Sequence, residues 1–211
     1  MKNIIIILVI ATISSLKSFA GNYEETMGKN IQKLYQTQNT EELIALANTF
    51  DRIAQKEINK WLPFYYTAYS NVSILFFSPD LSAEDKNHYL DNAQKKLDEA
   101  LKLNDEESEN YALQALIYQM RITDPSLGYK YSKMANEALA KAEILNPKNP
   151  RIYYLKGMNL FHTPEAYGGG KAAAKSLFEK ASSLFETNIS KDQLLPNWGS
   201  YHNNMMLEQC N

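Results

Sequence analysis

The sequence predicts an all-α chain of about nine helices arranged as antiparallel pairs, and three observations predict it. Apolar residues recur at helical spacing, as in Ala93, Leu97, Ala100 and Leu101, which share one helix face. Prolines stand where helices should begin or end: Pro79, Pro125, Pro147 and Pro150, with Pro63 near a helix start where a missing N–H costs little. Strand signals are weak, since no Asn-Gly or Asp-Gly turn and no alternating β-branched run occurs.

Residues 1–20 read as a secretory signal peptide: Lys2 opens it, an apolar run follows from Ile4 to Ile13, and Ser18-Phe19-Ala20 has the small-x-small form accepted by a signal peptidase. The run is too short to span a hydrocarbon core of about 30 Å. The mature chain is expected to start at Gly21, as one helical domain over 21–211 with no stable membrane insertion after cleavage. An exported protein follows, periplasmic or secreted. Helices are expected at about 22–37, 40–58, 61–77, 83–103, 107–121, 127–145, 150–162, 171–186 and 200–209. Short turns between them imply antiparallel neighbours, and the first and last helices read as caps, the last over 200–209. At the start of the helix at 107, Asp105 or Ser108 can cap, and the carboxylates Glu106, Glu107 and Glu109 suit the helix dipole.

Composition narrows the function classes. The 211 residues carry a net charge of −2, so the basic footprint of a nucleic-acid binder is missing. A single cysteine, Cys210, leaves no intramolecular disulfide and no cysteine-based zinc site. Tyrosine is abundant, at 14 against 8 Phe and 2 Trp.

An internal repeat organises the chain. Ala93, Leu97, Ala100 and Asp105 are matched in spacing by Ala135, Leu139, Ala142 and Pro147, and again by Ala174, Phe178, Ala181 and Glu186. Each set follows a helix with a small residue among aromatics: Ala68 within Phe64–Tyr69, Ala115 within Tyr111–Tyr118, and Gly157 within Tyr153–Met158. A small residue lets two helices approach, and the large one fills the space beside it. This pattern resembles the tetratricopeptide repeat, with Tyr111, Ala115 and Tyr118 at the spacing of its aromatic, small and second aromatic positions. The steps from Ala47 to Ala93, Ala135 and Ala174 exceed the standard repeat of about 34 residues, so the repeats, covering roughly 39–186, are degenerate. The runs Phe161–Lys171 and Leu195-Pro196-Asn197-Trp198-Gly199 look like features of exported bacterial members. The resemblance implies a right-handed superhelix of helix pairs with a concave binding surface and no enzymatic activity.

Catalytic and cofactor chemistry finds no support. Gly168-Gly169-Gly170-Lys171 is not a phosphate loop, because Glu165 stands at the first glycine position and Ala172 replaces the hydroxyl. It reads as a turn, with an anion nest as the weaker alternative. His88, His162 and His202 lack metal-ligand spacing, and no nucleophile sits in a glycine elbow. No cofactor or metal is indicated.

The tyrosines are the better lead. Neighbours on a helix diverge by about 100°, so one of each adjacent pair should leave the core. If Ala68, Ala115 and Gly157 face their partner helices, the groove is lined by Tyr65, Tyr69, Ala112, Leu116, Tyr154 and Met158. Glu109 and Arg151 then stand near the entrance and His162 at the border. Packing between repeats is the competing role for most of these tyrosines. The expected function is a non-enzymatic exported scaffold that binds a protein or peptide in this groove. The alternative is an accessory solute-binding or transport component of the envelope, and a hydrolase using groove carboxylates is a distant third.

Overall fold

The computed structural model describes residues 23–211, so the predicted leader and its cleavage site lie outside the described residues. Among the described residues the chain forms helices over 23–36 (α1), Thr40–Lys56 (α2), Trp61–Phe77 (α3), Ala83–Leu103 (α4), Ser108–Met120 (α5), Gly128–Leu145 (α6), Pro150–His162 (α7), Lys171–Thr187 (α8) and Ser200–Glu208 (α9). Single 3-10 turns at Pro125–Leu127 and Glu165–Tyr167 lead into α6 and the α7–α8 loop. The all-α expectation and the number and placing of its helices agree with this architecture.

Local chemistry sets the starts. Asn39 accepts from the Glu42 N–H at 3.0 Å, Ser82 from Asp85 at 3.0 Å, and Asn149 from Arg151 at 3.0 Å, with Pro150 in the first turn of α7. At α5 the cap is Glu107, which accepts from the Glu109 N–H at 3.2 Å, rather than Asp105 or Ser108. The Ser108 hydroxyl is spent elsewhere, donating to the Ala142 carbonyl of α6 at 3.1 Å.

The helices pack as antiparallel pairs, α3 with α4, α5 with α6 and α7 with α8, with α2 against the other side of α3. The small and large residues of the repeat are the contact: Ala93, Leu97, Ala100, Ala135, Leu139, Ala142, Ala174, Phe178 and Ala181 are all fully buried. Opposite them lie Ala68, Ala115 and Gly157. At Gly157 the approach is closest, because an added Cβ would stand 2.6 Å from the Phe178 ring. The first helices of the pairs also touch one another, α3 with α5 and α5 with α7, forming one row.

Both ends of the described chain close on this row. α1 buries Met27, Ile31 and Leu34. α9 docks on α8 through Asn203, whose amide donates to the Phe178 carbonyl at 3.0 Å and the Ser182 hydroxyl at 2.8 Å. Between α8 and α9 the segment 188–199 runs back as a strap toward α1 and α3. The Tyr66 hydroxyl donates to the Leu194 carbonyl at 2.8 Å, and the Asn197 N–H donates to the Tyr35 hydroxyl at 3.0 Å.

Candidate functional site

The row α3, α5, α7 brings Glu109 and Arg151 together beneath the strap. Arg151 donates from Nε to Glu109 Oε2 at 2.6 Å and from Nη2 to Oε1 at 2.8 Å, a bidentate pair with both side chains buried. Its remaining donors hold the strap, Nη1 to the Trp198 carbonyl at 3.0 Å and Nη2 to the Pro196 carbonyl at 2.5 Å. Asn149 adds a bond to Glu109 Oε1 at 3.0 Å. Burial alone would lower the guanidinium pKa, but the Glu109 charge overrides it and holds Arg151 above its ordinary value. The expectation that Glu109 and Arg151 guard an open entrance is therefore corrected. They are an internal clamp whose second function is to pin residues 196–198.

Trp198, delivered by that clamp, organises the aromatic residues of the row. Its indole N–H donates to the Tyr65 hydroxyl at 2.8 Å. Its ring stacks on Tyr69, with centroids 5.3 Å apart and planes 18° from parallel, and meets Tyr154 edge-on at 6.5 Å. Tyr35 stands edge-on to the Tyr69 ring at 6.2 Å. On the far side the Tyr154 hydroxyl and His202 Nδ1 are 2.7 Å apart. A file of rings thus runs Tyr35, Tyr69, Trp198, Tyr154, His202 across the described chain. Burial raises the pKa of Tyr65, Tyr69 and Tyr154, keeping these phenols neutral.

The sequence-derived groove positions divide accordingly. Tyr65, Glu109, Leu116, Arg151 and Tyr154 are buried, Tyr69 and Met158 are half-buried, and His162 is exposed on the last turn of α7. Tyr65 cannot line an open wall, because Trp61, Tyr66 and Trp198 enclose it. The strap meets α3 at Tyr65, Tyr66 and Tyr69 and α7 at Arg151 and Tyr154, and Met158 and His162, further along α7, are the more accessible positions. Sequence reasoning passed over Trp198 and His202. The Leu-Pro-Asn-Trp-Gly run was visible, but nothing local says that it folds back over the row. His202 is recognisable only through its contact with α7.

Two other features stand apart from the ring file. The glycine turn is structural: Gly168 and Gly170 have φ of 81° and 95°, and an added Cβ on Gly169 would fall 2.1 Å from the Thr163 carbonyl oxygen. The Gly169 and Gly170 N–H groups donate to the Pro164 and Leu160 carbonyls, which holds the turn closed. A cleft of about 390 Å³ lies among α2, α3 and α4, walled by Asn48, Asp51, Asn71, Asn92, Lys96 and His88 among others. Its lining is mixed, with Ile44, Ala47, Ile74 and Tyr89 beside these polar groups and the Lys96–Asp51 ion pair across it. Among the described residues no group of three His, Cys, Asp or Glu could hold a metal ion, and no helix is long and apolar enough to cross a membrane.

No family model matches the chain, and no curated protein matches it. Among solved structures it is similar to the HusA haemophore from Porphyromonas gingivalis, with 29% identity and a TM-score of 0.79, over 89% of this chain and 92% of that one. A thermophilic tetratricopeptide-repeat protein of Thermus thermophilus matches with 13% identity and a TM-score of 0.54, over 87% of this chain and 98% of that one, a likeness of fold alone. The tetratricopeptide family assignment is corrected by the stronger likeness to a haemophore. The small-large-small pattern reports close antiparallel helix packing, which that family shares with other helix-pair proteins. The scaffold reading and its protein or peptide partner are corrected by the same finding, and the strap already fills part of the expected peptide groove. The chain is non-enzymatic and exported, periplasmic or secreted.

Proposed function

We propose that this chain is an exported carrier of a haem-class ligand: a flat, largely apolar macrocycle with carboxylate groups on one edge and iron at its centre. The likeness to a haemophore over nine-tenths of both chains carries the reading. The ring file supports it, since half-buried Tyr69, stacked on the buried Trp198, offers aromatic surface against which a macrocycle would pack. Half-buried Met158 on α7 adds apolar surface. The porphyrin itself furnishes four nitrogens, so its iron asks the protein for only one or two ligands, and a cluster of three is not required. The helix pairs are read as a superhelical stack with the row α3, α5, α7 on its inner side.

Haemin added to the purified mature chain should give a saturable shift of the Soret band with defined stoichiometry. Bound ligand should also raise the melting temperature as haemin concentration increases. A chain that leaves both spectrum and melting curve unchanged would overturn the carrier reading. The domain organisation belongs to the same proposal, a single helical domain over 21–211 released from its leader. N-terminal sequencing of exported protein is expected to read Gly-Asn-Tyr, and full-length chain in the membrane pellet would contradict it.

A further inference from the structure

We propose that the cleft among α2, α3 and α4 is a second binding site, separate from the ring file, and that it takes a neutral pyranose sugar. This site stands independently of the haem-carrier reading. Three helix faces build it. Ile44, Ala47, Asn48 and Asp51 follow one another at i, i+3, i+4 and i+7 on α2, and Thr67, Asn71 and Ile74 at i, i+4 and i+7 on α3. From α4 come Tyr89, Asn92 and Lys96. Unused hydrogen-bonding groups distinguish this seam from its neighbours. Between α4 and α5, Gln94 and Gln114 bond each other at 2.7 and 2.8 Å. Among α5, α6 and α7, Gln119 donates to Asn159 at 2.8 Å and Asn159 to Asn136 at 2.9 Å. The amides of Asn48, Asn71 and Asn92 make no such bonds to one another. Asn71 is only 7% exposed, and its Nδ2 donates to the Thr67 carbonyl at 2.8 Å, whereas its Oδ1 has no partner among the described residues. Buried amide oxygens are normally satisfied, because leaving one unmade is costly. This one belongs to a side chain that walls the cleft, where a ligand hydroxyl can supply the bond.

The remaining walls select the ligand. Asn92 meets His88 Nε2 through its Nδ2 at 3.0 Å, which leaves its Oδ1 as a second acceptor. Exposed Asn48 offers a whole amide at the rim, and Lys96 keeps donors beyond the one given to Asp51. Donors and acceptors interleaved in this way match sugar hydroxyls, each of which both donates and accepts. Asp51 and Lys96 balance each other, so the cleft has no surplus charge on that pair for an ionic ligand. Ile44, Ile74 and the half-buried Tyr89 ring give the apolar patch against which the C–H face of a pyranose packs. At about 390 Å³ the cleft is at the small end of the range of about 300–1,000 Å³ for ligand sites, which suits a single sugar ring better than a macrocycle.

The experiment titrates the methyl glycosides of glucose, galactose, mannose and N-acetylglucosamine against the purified mature chain by saturation-transfer NMR. Wild type is compared with Asn71→Ala, Asn48→Trp and Lys95→Ala, and circular dichroism verifies folding. At least one neutral glycoside should show saturable binding to the wild type. Asn71→Ala should weaken it by about tenfold, the effect of one lost hydrogen bond. Asn48→Trp, which sets a large ring at an exposed rim position, should abolish it and leave protoporphyrin binding unchanged. Lys95→Ala, on α4 but outside the cleft, should match the wild type. Matching trisaccharides separate the two sources of the ligand: tighter binding than the single ring assigns the end of a glycan chain, and equal binding a free sugar. Absence of saturable binding by every neutral glycoside overturns the site, as does wild-type sugar affinity in folded Asn48→Trp. Preference for glucuronide or glucosamine overturns the neutral ligand class, and loss of protoporphyrin binding in Asn48→Trp gives the cleft to the macrocycle instead.

Discussion

At the residue scale, the decisive feature is a buried ion pair that holds a loop. Arg151 spends its donors on Glu109 and on the carbonyls of Pro196 and Trp198, so one side chain couples α5, α7 and the strap. Breaking such a pair leaves its partner charged and buried, which costs about 3–5 kcal/mol, whereas replacing both partners costs far less. Arg151→Met is therefore expected to lose about that much stability in urea titrations, and Glu109→Gln with Arg151→Met to recover part of it. Additive losses would show that the two side chains act independently. The sequence placed the two residues on the helices now seen as α5 and α7, but near a groove entrance rather than in a buried clamp. It could not reveal that they pair, because the partner that hides them, residues 196–198, arrives from 45 or more positions away.

At the element scale, helix contacts were legible and coverage was not. The spacing of Ala93, Leu97 and Ala100 and its two echoes specify which face of α4, α6 and α8 is buried, because a tight antiparallel pair demands small residues at fixed intervals. Ala100→Trp and Ala142→Trp should each destabilise by about 1–3 kcal/mol or more through overpacking. Lys95→Ala, at an exposed position on α4, should stay within about 0.5 kcal/mol. Gly157→Ala tests the closest contact. Its new methyl meets the Phe178 ring, so melting temperature should fall, and pairing it with Phe178→Leu should relieve part of the loss. Unchanged melting in the tryptophan variants would mean that these faces are not in contact. The strap carries no such periodic signature. Its register is set by single bonds, Tyr66 to the Leu194 carbonyl and Trp198 to Tyr65, and a pattern search sees only a polar connection with one tryptophan. The same blindness turned a covered face into an expected peptide groove.

At the scale of the whole molecule, neutral buried phenols join the first helix to the last. Tyr65, Tyr66, Tyr69 and Tyr154 link α3 and α7 to α1, the strap and α9 through hydroxyl and ring contacts, so the closure of the chain depends on their remaining protonated. Burial raises the pKa of each above the ordinary tyrosine value of 10.0. For a group whose folded pKa is raised, the unfolded chain releases its proton first, and the folded state binds more protons above that point. Stability is then fully present below pH 10.0 and falls as pH rises through the folded values. Denaturant titrations across this range should show a level plateau followed by a fall that steepens as more phenols ionise. The buried fraction of tyrosinate absorbance should appear only together with loss of helical circular dichroism, after the exposed tyrosines have ionised. Tyr65→Phe, which removes one ionisable phenol and keeps the ring, should shallow the alkaline fall, although it also loses the bond from Trp198. If all the tyrosinate absorbance develops while helix content is intact, the phenols are reachable by hydroxide in the folded state, and the closed junction between the two ends is wrong.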